Sequence, residues 1–362
     1  MSLKVALVGC GKIADGHVEE IAKMPELARV MAVCDREPLM AEQIAMRYGL
    51  PAHYHCFETL LATEKPDVVH ITTPPASHLP LAIAAIDAGC HVYVEKPLTL
   101  CHADSRTLLD HGARARRRVT VGYTYFFDPP AIAMRQLIAE GAVGDVVHAE
   151  SFYGYDLSGA YGSAILSDEA HWVHGLPGQL LHNNIDHLLN KTLELVEDER
   201  PAVHARGLVR RARRYGDRRD DMLDELRVLI QGERTSAYAT FSAHARPIGH
   251  FVRVYGTRNT MHVDYLSRSI TLETPSRLPS AVGRLLPAFG QAWQHLRAGG
   301  ANVLRFARSE FHFMAGLNHL IAAFYRSILE DRPAPLSDRD MLRVSALMDE
   351  IFRQLAAAKT SG

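Results

Sequence analysis

The chain has 362 residues, too many for one ordinary hydrophobic core, so two domains are expected. Its 47% hydrophobic and 22% charged content is that of a globular protein, and 40 basic against 41 acidic residues give no global field to draw nucleic acid or a membrane. The amino terminus lacks a signal-peptide pattern, no apolar run reaches the ~20 residues of a bilayer span, and the five cysteines form no C-x-x-C; a cytoplasmic protein with reduced thiols and no metal centre is expected.

Leu3 to Val8 is an apolar run of strand length that leads into Gly9-Cys10-Gly11-Lys12-Ile13-Ala14, and a second run, Val30 to Cys34, closes on Asp35. Strand, Gly-x-Gly-x-x-Ala, helix, strand and acid is the order of a dinucleotide-binding βαβ unit. Gly9 allows the tight turn. Gly11 lets backbone N–H groups reach a pyrophosphate, with Cys10, Lys12 and Ile13 completing the turn at a helix N-terminus that favours negative charge. Ala14 is small enough for the helix to approach the sheet. Asp35 is placed to accept hydrogen bonds from both hydroxyls of an adenosine ribose. NAD is therefore expected, with NADP the alternative because Arg36 stands beside the acid.

The alternation continues. Pro38 to Tyr48 reads as a helix with Gly49 past its end, and Val68 to Thr72 as a buried strand stopped by Pro74-Pro75. A helix over Leu79 to Ala88 precedes the strand His91 to Val94, which ends in Glu95-Lys96-Pro97. A helix at 102–117 and the strand Val119 to Val121 bring the expected parallel sheet to six strands within residues 1–123. Lys96, at the carboxyl end of a strand, can polarise or protonate a substrate oxygen. Thr73, Pro74 and His78 at the end of the previous strand, with Glu95, are candidates to line the cofactor cleft.

From residue 124 onward the rhythm is α+β. A helix (131–140), a strand (145–155) and a helix (178–195) precede strands at 203–212, 223–231, 236–244, 250–256, 260–265 and 268–273, then helices at 303–330 and 338–358. Successive strands imply a mainly antiparallel sheet. The basic stretch Arg206, Arg210, Arg211, Arg213, Arg214, Arg218, Arg219 is broken by Asp217, Asp220 and Asp221 and has no aromatic ladder, so it reads as a solvated surface. His171, His174, His182 and His187, with Asp186, lack the spacing of a zinc site; a general acid/base among them is the better reading.

Together these motifs, with Val121-Gly122-Tyr123, Gly141 to Val146 and the Gly256-Thr257 turn, resemble the Gfo/Idh/MocA family of NAD(P)-dependent oxidoreductases. The resemblance implies a Rossmann domain (1–123) and an α+β domain (124–362) whose open sheet mediates dimers or tetramers. It also implies sugar, cyclitol or nucleotide-sugar substrates, Lys96 as the active-site lysine and a cis Lys96–Pro97 bond. The family's D-x-G-x-H-x-x-D pattern aligns here with His182 at its acid, Asn184 at its glycine and Asp186 at its histidine, leaving His187 one place out. His187 is still expected to exchange the substrate proton, with Asp186 and His182 as substitutes. Asn183 and His187, four apart, would share one helical face.

The expected activity is hydride transfer between nicotinamide and a secondary alcohol or ketone. The rivals are a redox-neutral use of NAD in elimination or glycoside cleavage, and a regulator without turnover. No nucleic-acid partner and no stable membrane insertion are expected. Residues 275–312 exceed what such a fold needs. Val282, Leu285, Leu286, Phe289, Trp293 and Leu296 fall at helical spacing among arginines that include Arg277. This segment is read first as packing against the second domain or a neighbouring subunit, then as a lid, and last as a membrane-surface helix.

Overall fold

The first 123 residues alternate strand and helix as their apolar runs require: β1 (Leu3–Val8), α1 (Lys12–Ala22), β2 (Ala28–Cys34), α2 (Pro38–Tyr48), β3 (Ala52–Tyr54), α3 (Phe57–Glu64), β4 (Val68–Ile71), α4 (His78–Asp87), β5 (His91–Val94), α5 (His102–Arg114) and β6 (Val119–Val121). The computed structural model describes residues 2–360 except 212, 216, 217, 221, 277–279, 309, 310 and 313. Arg277, Asp217 and Asp221, and the side chains of Val282, Arg213, Arg214, Arg218, Arg219 and Asp220, lie outside the described residues.

All six strands are parallel, in the order β3-β2-β1-β4-β5-β6. The sixth strand is the short β3, whose three residues are too few to give a readable pattern. Strand order reverses between β1 and β4, and the crevice beyond the carboxyl ends at such a point is where open α/β sheets bind ligands. Val5, Ala6 and Leu7 are fully buried, as parallel strands covered on both faces must be. Pro38 opens α2, and Gly49 closes it at φ 61°.

The chain divides into two compact units, Met1–Thr124 with Gly316–Asp349, and Tyr125–Ala315 with Glu350–Gly362. Residues 316–349, expected with the second domain, cluster with the first unit. There α11 (Ala315–Leu329) buries Leu320, Ile321, Phe324 and Tyr325 completely, and Asn318 donates to Glu20 at 3.0 Å. The expected helix over 303–330 is thus two helices with a break at the return between units. The last helix is α12 (Asp338–Thr360).

The second unit contains α6 (Pro129–Ala139), β7 (Val146–Asp156), α7 (Ala160–Ser167), α8 (Gln179–Asn184), α9 (Asp186–Leu193), β8 (Ala202–Leu208), β9 (Arg213–Tyr215), β10 (Arg218–Asp220), β11 (Glu225–Gln231), β12 (Ser236–Ser242), β13 (His244–Gly256), β14 (Thr260–Asp264), β15 (Ser269–Glu273) and α10 (Ser280–Ala307). Seven strands form one sheet in the order β15-β14-β13-β7-β12-β11-β8, with β12 and β7 parallel and the other neighbours antiparallel. The expected strand at 203–212 ends at Leu208, and β9 and β10 form a separate hairpin. Within the chain itself the apolar side of α10 is not packed against the second unit: Leu285, Phe289, Trp293 and Leu296 are 59–68% exposed.

Candidate active site

In the first unit, four strand ends carry the candidate groups. After β1, Gly9 adopts φ 98°, and a Cβ there would lie 2.7 Å from the backbone of Thr72 and Thr73. Only glycine lets the β1 turn pass so close to the end of β4, where the Thr72 hydroxyl donates to Gly9 O at 2.6 Å. Gly11 caps α1 without a side-chain bond, and a Cβ on it would meet nothing within 4 Å. The helix N-terminus therefore faces open space, as a phosphate cradle must. Ala14 is fully buried against the sheet, Lys12 is exposed and Ile13 half-buried.

The Asp35 carboxylate, after β2, accepts from Cys10 N at 2.7 Å and from Glu37 N at 2.9 Å, which fixes the acid beside the glycine turn. Arg36 next to it is exposed. The residues thus fit a dinucleotide, with the Gly9–Ala14 turn for the pyrophosphate and Asp35 for a ribose. The Cys10 thiol is pushed up to about 12 by burial and by Asp35, so it packs rather than reacts.

At the end of β5, Lys96 is half-buried and the Lys96–Pro97 bond is cis. Thr73 is half-buried and Pro74 exposed at the end of β4. His78 is placed differently from the expectation of a cofactor contact. It is fully buried, with Nδ1 2.8 Å from Pro97 O and Nε2 2.9 Å from Thr73 O. It ties the Thr73 turn to the lysine turn from beneath.

Glu95 ends a buried chain of hydrogen bonds that the motifs alone did not reveal. His17 Nε2 lies 3.0 Å from Glu95 Oε1, His17 Nδ1 2.8 Å from His70 Nδ1, and His70 Nε2 2.8 Å from the Tyr325 hydroxyl. Burial acts to raise the Glu95 carboxyl, yet the bond from His17 and its charge, with the charge of Lys96, outweigh it and hold the group below the usual range. A carboxylate only accepts, so His17 Nε2–H donates. With His17 neutral, its Nδ1 must accept from His70 Nδ1–H, and His70 Nε2 must accept from Tyr325. Protonation of His17 would reverse the His17–His70 and His70–Tyr325 bonds and leave the bond to Glu95 as it is. Burial holds the His70 pKa well below its ordinary value, so His70 stays neutral in either state.

The second unit holds an imidazole-and-phenol cluster. Tyr153 on β7 and His250 on β13 are cross-strand partners with ring centres 4.9 Å apart. Tyr125 meets His250 edge-on at 4.2 Å and His187 at 4.8 Å, and Tyr265 stacks on His250 at 4.7 Å. Lys191, one turn after His187 on α9, touches His250 Nε2 and lies 4.6 Å from the Tyr265 ring. Lys191 is fully buried, and among the described residues no carboxylate lies within ion-pair distance of it. Burial drives its ammonium well below the ordinary range, only partly opposed by Glu194 and Asp128. Burial, then Lys191 and His187, likewise depress His250. Lys191, His250, Tyr125, Tyr153 and Tyr265 were not legible as a group, because they come from five separate elements and loops.

The helix expected at 178–195 is two helices with a break at Ile185, so Asn183 and His187 do not share one continuous helical face. The break arises where Asp186 Oδ1 takes the His187 N–H at 2.8 Å, in place of the helical carbonyl. Asp186 is fully buried; His182 is 1% exposed and stacked on Phe352 at 5.0 Å. His187 alone of the three is half-buried and borders the cluster. His171 accepts from Val173 N in a 3-10 turn, and His174 reaches Ile165 O at 2.9 Å. Among the described residues no group of three metal-ligating side chains occurs.

Residues 3–123 match the oxidoreductase family with an NAD-binding Rossmann fold, GFO_IDH_MocA. The chain is 30% identical over 164 residues to a glycosyl hydrolase family 109 protein of Shewanella amazonensis, covering 43% of this chain and 36% of that protein. It is 28% identical over 156 residues to an inositol 2-dehydrogenase of Salmonella paratyphi B, covering 42% and 46%. The chain thus spans less than half the length of these relatives. Levoglucosan dehydrogenase, solved with NADH and levoglucosan, shares the fold over 99% of this chain and 98% of its own, at a TM-score of 0.80 and 19% identity. The glycine turn, the acid and the strand order of the first unit agree with the family match, which covers residues 3–123 and so about a third of the chain.

Proposed function

We propose that this protein is an NAD(H)-dependent dehydrogenase acting on a secondary alcohol of a sugar, cyclitol or nucleotide sugar. The observation that carries the reading is the placement of Asp35 and Lys96 at the carboxyl ends of β2 and β5, on the same edge of one parallel sheet and on either side of its β1/β4 switch point, with Asp35 locked to the glycine turn through Cys10 N at 2.7 Å. When bound, the nicotinamide supplies the hydride chemistry. Asp35 grips the free ribose hydroxyls and repels a 2′-phosphate, which favours NAD(H) over NADP(H). Lys96 polarises the substrate oxygen, and Glu95, kept ionised, holds a negative charge next to it. His187 exchanges the substrate proton. Its partial exposure supports this role over the fully buried Asp186, which is occupied with the His187 N–H.

The names of the relatives support a polyol substrate, and the same reading carries cytoplasmic operation and a homo-dimer or homo-tetramer formed through the second unit's sheet. Among the described residues no helix is long and apolar enough to cross a membrane. A second reading, redox-neutral use of NAD in glycoside cleavage, is favoured by the 30% identity to the family 109 glycosyl hydrolase. Following nicotinamide absorbance and product formation across sugars, cyclitols and glycosides separates the two. Net reduction of NAD supports the dehydrogenase; cleavage without net reduction supports the second reading; binding without turnover overturns both. In single-turnover hydride transfer, His187→Ala is expected to lose the chemical step and Asp186→Ala to retain more of it. The opposite order would reassign the proton to Asp186.

A further inference from the structure

The long helix α10 turns its faces the wrong way for a helix that belongs to a core. It lies along β15, the edge strand of the second unit's sheet, and the contacts it makes there are polar. Gln294 accepts from Leu272 N at 2.8 Å and donates to Leu272 O at 3.0 Å, and Asn302 Nδ2 donates to Ser267 O at 2.6 Å. The Gln294 bonds occupy backbone groups of the edge strand, and the Asn302 bond holds the turn that precedes it. On a wheel of about 100° per residue, the half-buried Gly283, Gln291, Gln294, Ala298 and Asn302 fall in one sector about 100° wide. Leu285, Phe289, Trp293, Leu296, Val303 and Leu304 fall in another sector of about the same width on the opposite side. Those six side chains are 51–70% exposed. A contiguous apolar stripe of this length marks an interaction surface.

We propose that the stripe lies on an anionic lipid surface, so that α10 is an interfacial helix holding the protein against the face of a membrane. Charge decides the occupant. From Thr274 to Ser309 the sequence has five arginines and neither aspartate nor glutamate, in a chain whose net charge is only −1. Arg297 and Arg308, both exposed, project within about 40° of one edge of the stripe, where their stems can lie along the apolar face and their guanidinium groups meet phosphate. Pairing with a second copy would lay one arginine-bearing, acid-free helix on another, with no acid on either helix to answer the guanidinium groups. Phe289 and Trp293 stand at the middle of the stripe, and aromatic side chains favour the headgroup level. The helix is 28 residues long, yet no helix among the described residues is apolar enough to span a bilayer. Lying on the surface satisfies both observations.

The test floats the full-length protein with vesicles of phosphatidylcholine alone and of phosphatidylcholine mixed with phosphatidylglycerol. Recovery with the anionic vesicles is expected to exceed that with neutral ones by ~10-fold and to fall as salt is raised. Trp293→Glu is expected to abolish flotation while NADH titration and circular dichroism stay unchanged. The double variant Arg297→Gln with Arg308→Gln keeps the apolar stripe and so remains informative if Trp293→Glu fails to fold; it is expected to lose most of the preference for anionic lipid. No flotation of the unaltered protein on anionic vesicles overturns the proposal, as does full flotation of the arginine variant. A dimer that Trp293→Glu dissociates, in a protein that does not float, overturns it too and assigns the stripe to a second copy.

Discussion

Single residues divide into those that chemistry needs and those that only folding needs. For Lys96→Ala we expect turnover to fall by about 10²-fold or more with NADH affinity within a few-fold, because the group acts on the substrate oxygen. Steady-state kinetics with an NADH titration check this, and near-normal kcat would make Lys96 a surface residue. Lys191 makes a different prediction. Its pKa is depressed by burial, so the unfolded chain binds a proton that the folded chain does not. The sign follows: stability contributed by the neutral amine is present above the unfolded lysine pKa of about 10.4 and is lost as pH falls below it. His70 and His250, also depressed by burial, add a further loss as pH falls through about 6.5. Lys191→Met is therefore expected to raise the melting temperature at neutral pH and to flatten its rise with pH between neutrality and about pH 10. Calorimetry across that range checks it; an unchanged slope would mean that the ammonium stays charged in the fold.

At the level of elements, the glycine turn separates shape from binding. Gly9→Ala forces a Cβ to 2.7 Å from the Thr72 and Thr73 backbone at φ 98°, so we expect a loss of about 1–3 kcal/mol in urea unfolding. Gly11→Ala meets nothing within 4 Å, so stability should change by less than about 1 kcal/mol while NADH affinity falls ~10-fold or more. Equal losses of stability in the two variants would contradict the cradle. This turn was legible from spacing because its chemistry is local: glycines, a helix start and an acid within 35 residues. The histidine segment was less legible, since the break at Ile185 depends on an aspartate capturing the next residue's N–H. For α10, periodicity disclosed a stripe but not its direction; a hydrophobic pattern names a face and is silent on what covers it. The Glu95 chain was beyond reach because Tyr325 joins it from 230 residues away.

Considered whole, the chain leaves the first unit at Thr124, returns at Gly316 and leaves it again at Asp349. Residues 1–124 produced alone would lack α11, whose Leu320, Ile321 and Phe324 are fully buried. Their burial is worth about 5–9 kcal/mol together, comparable with the net stability of a domain. We expect this fragment to lack a cooperative unfolding transition and to bind NADH at least ~10-fold more weakly, measured by circular dichroism and titration. A cooperative fragment with full affinity would show that α11 is dispensable. The interrupted order of the first unit also bears on how the protein is made. On the ribosome, β1 to β6 emerge well before the helix that closes their sheet, and Tyr125 to Ala315 must be synthesised in between, about 10–40 s of elongation. Through that interval the nascent Rossmann sheet carries an uncovered apolar face, and it is then that a chaperone would have the most to hold.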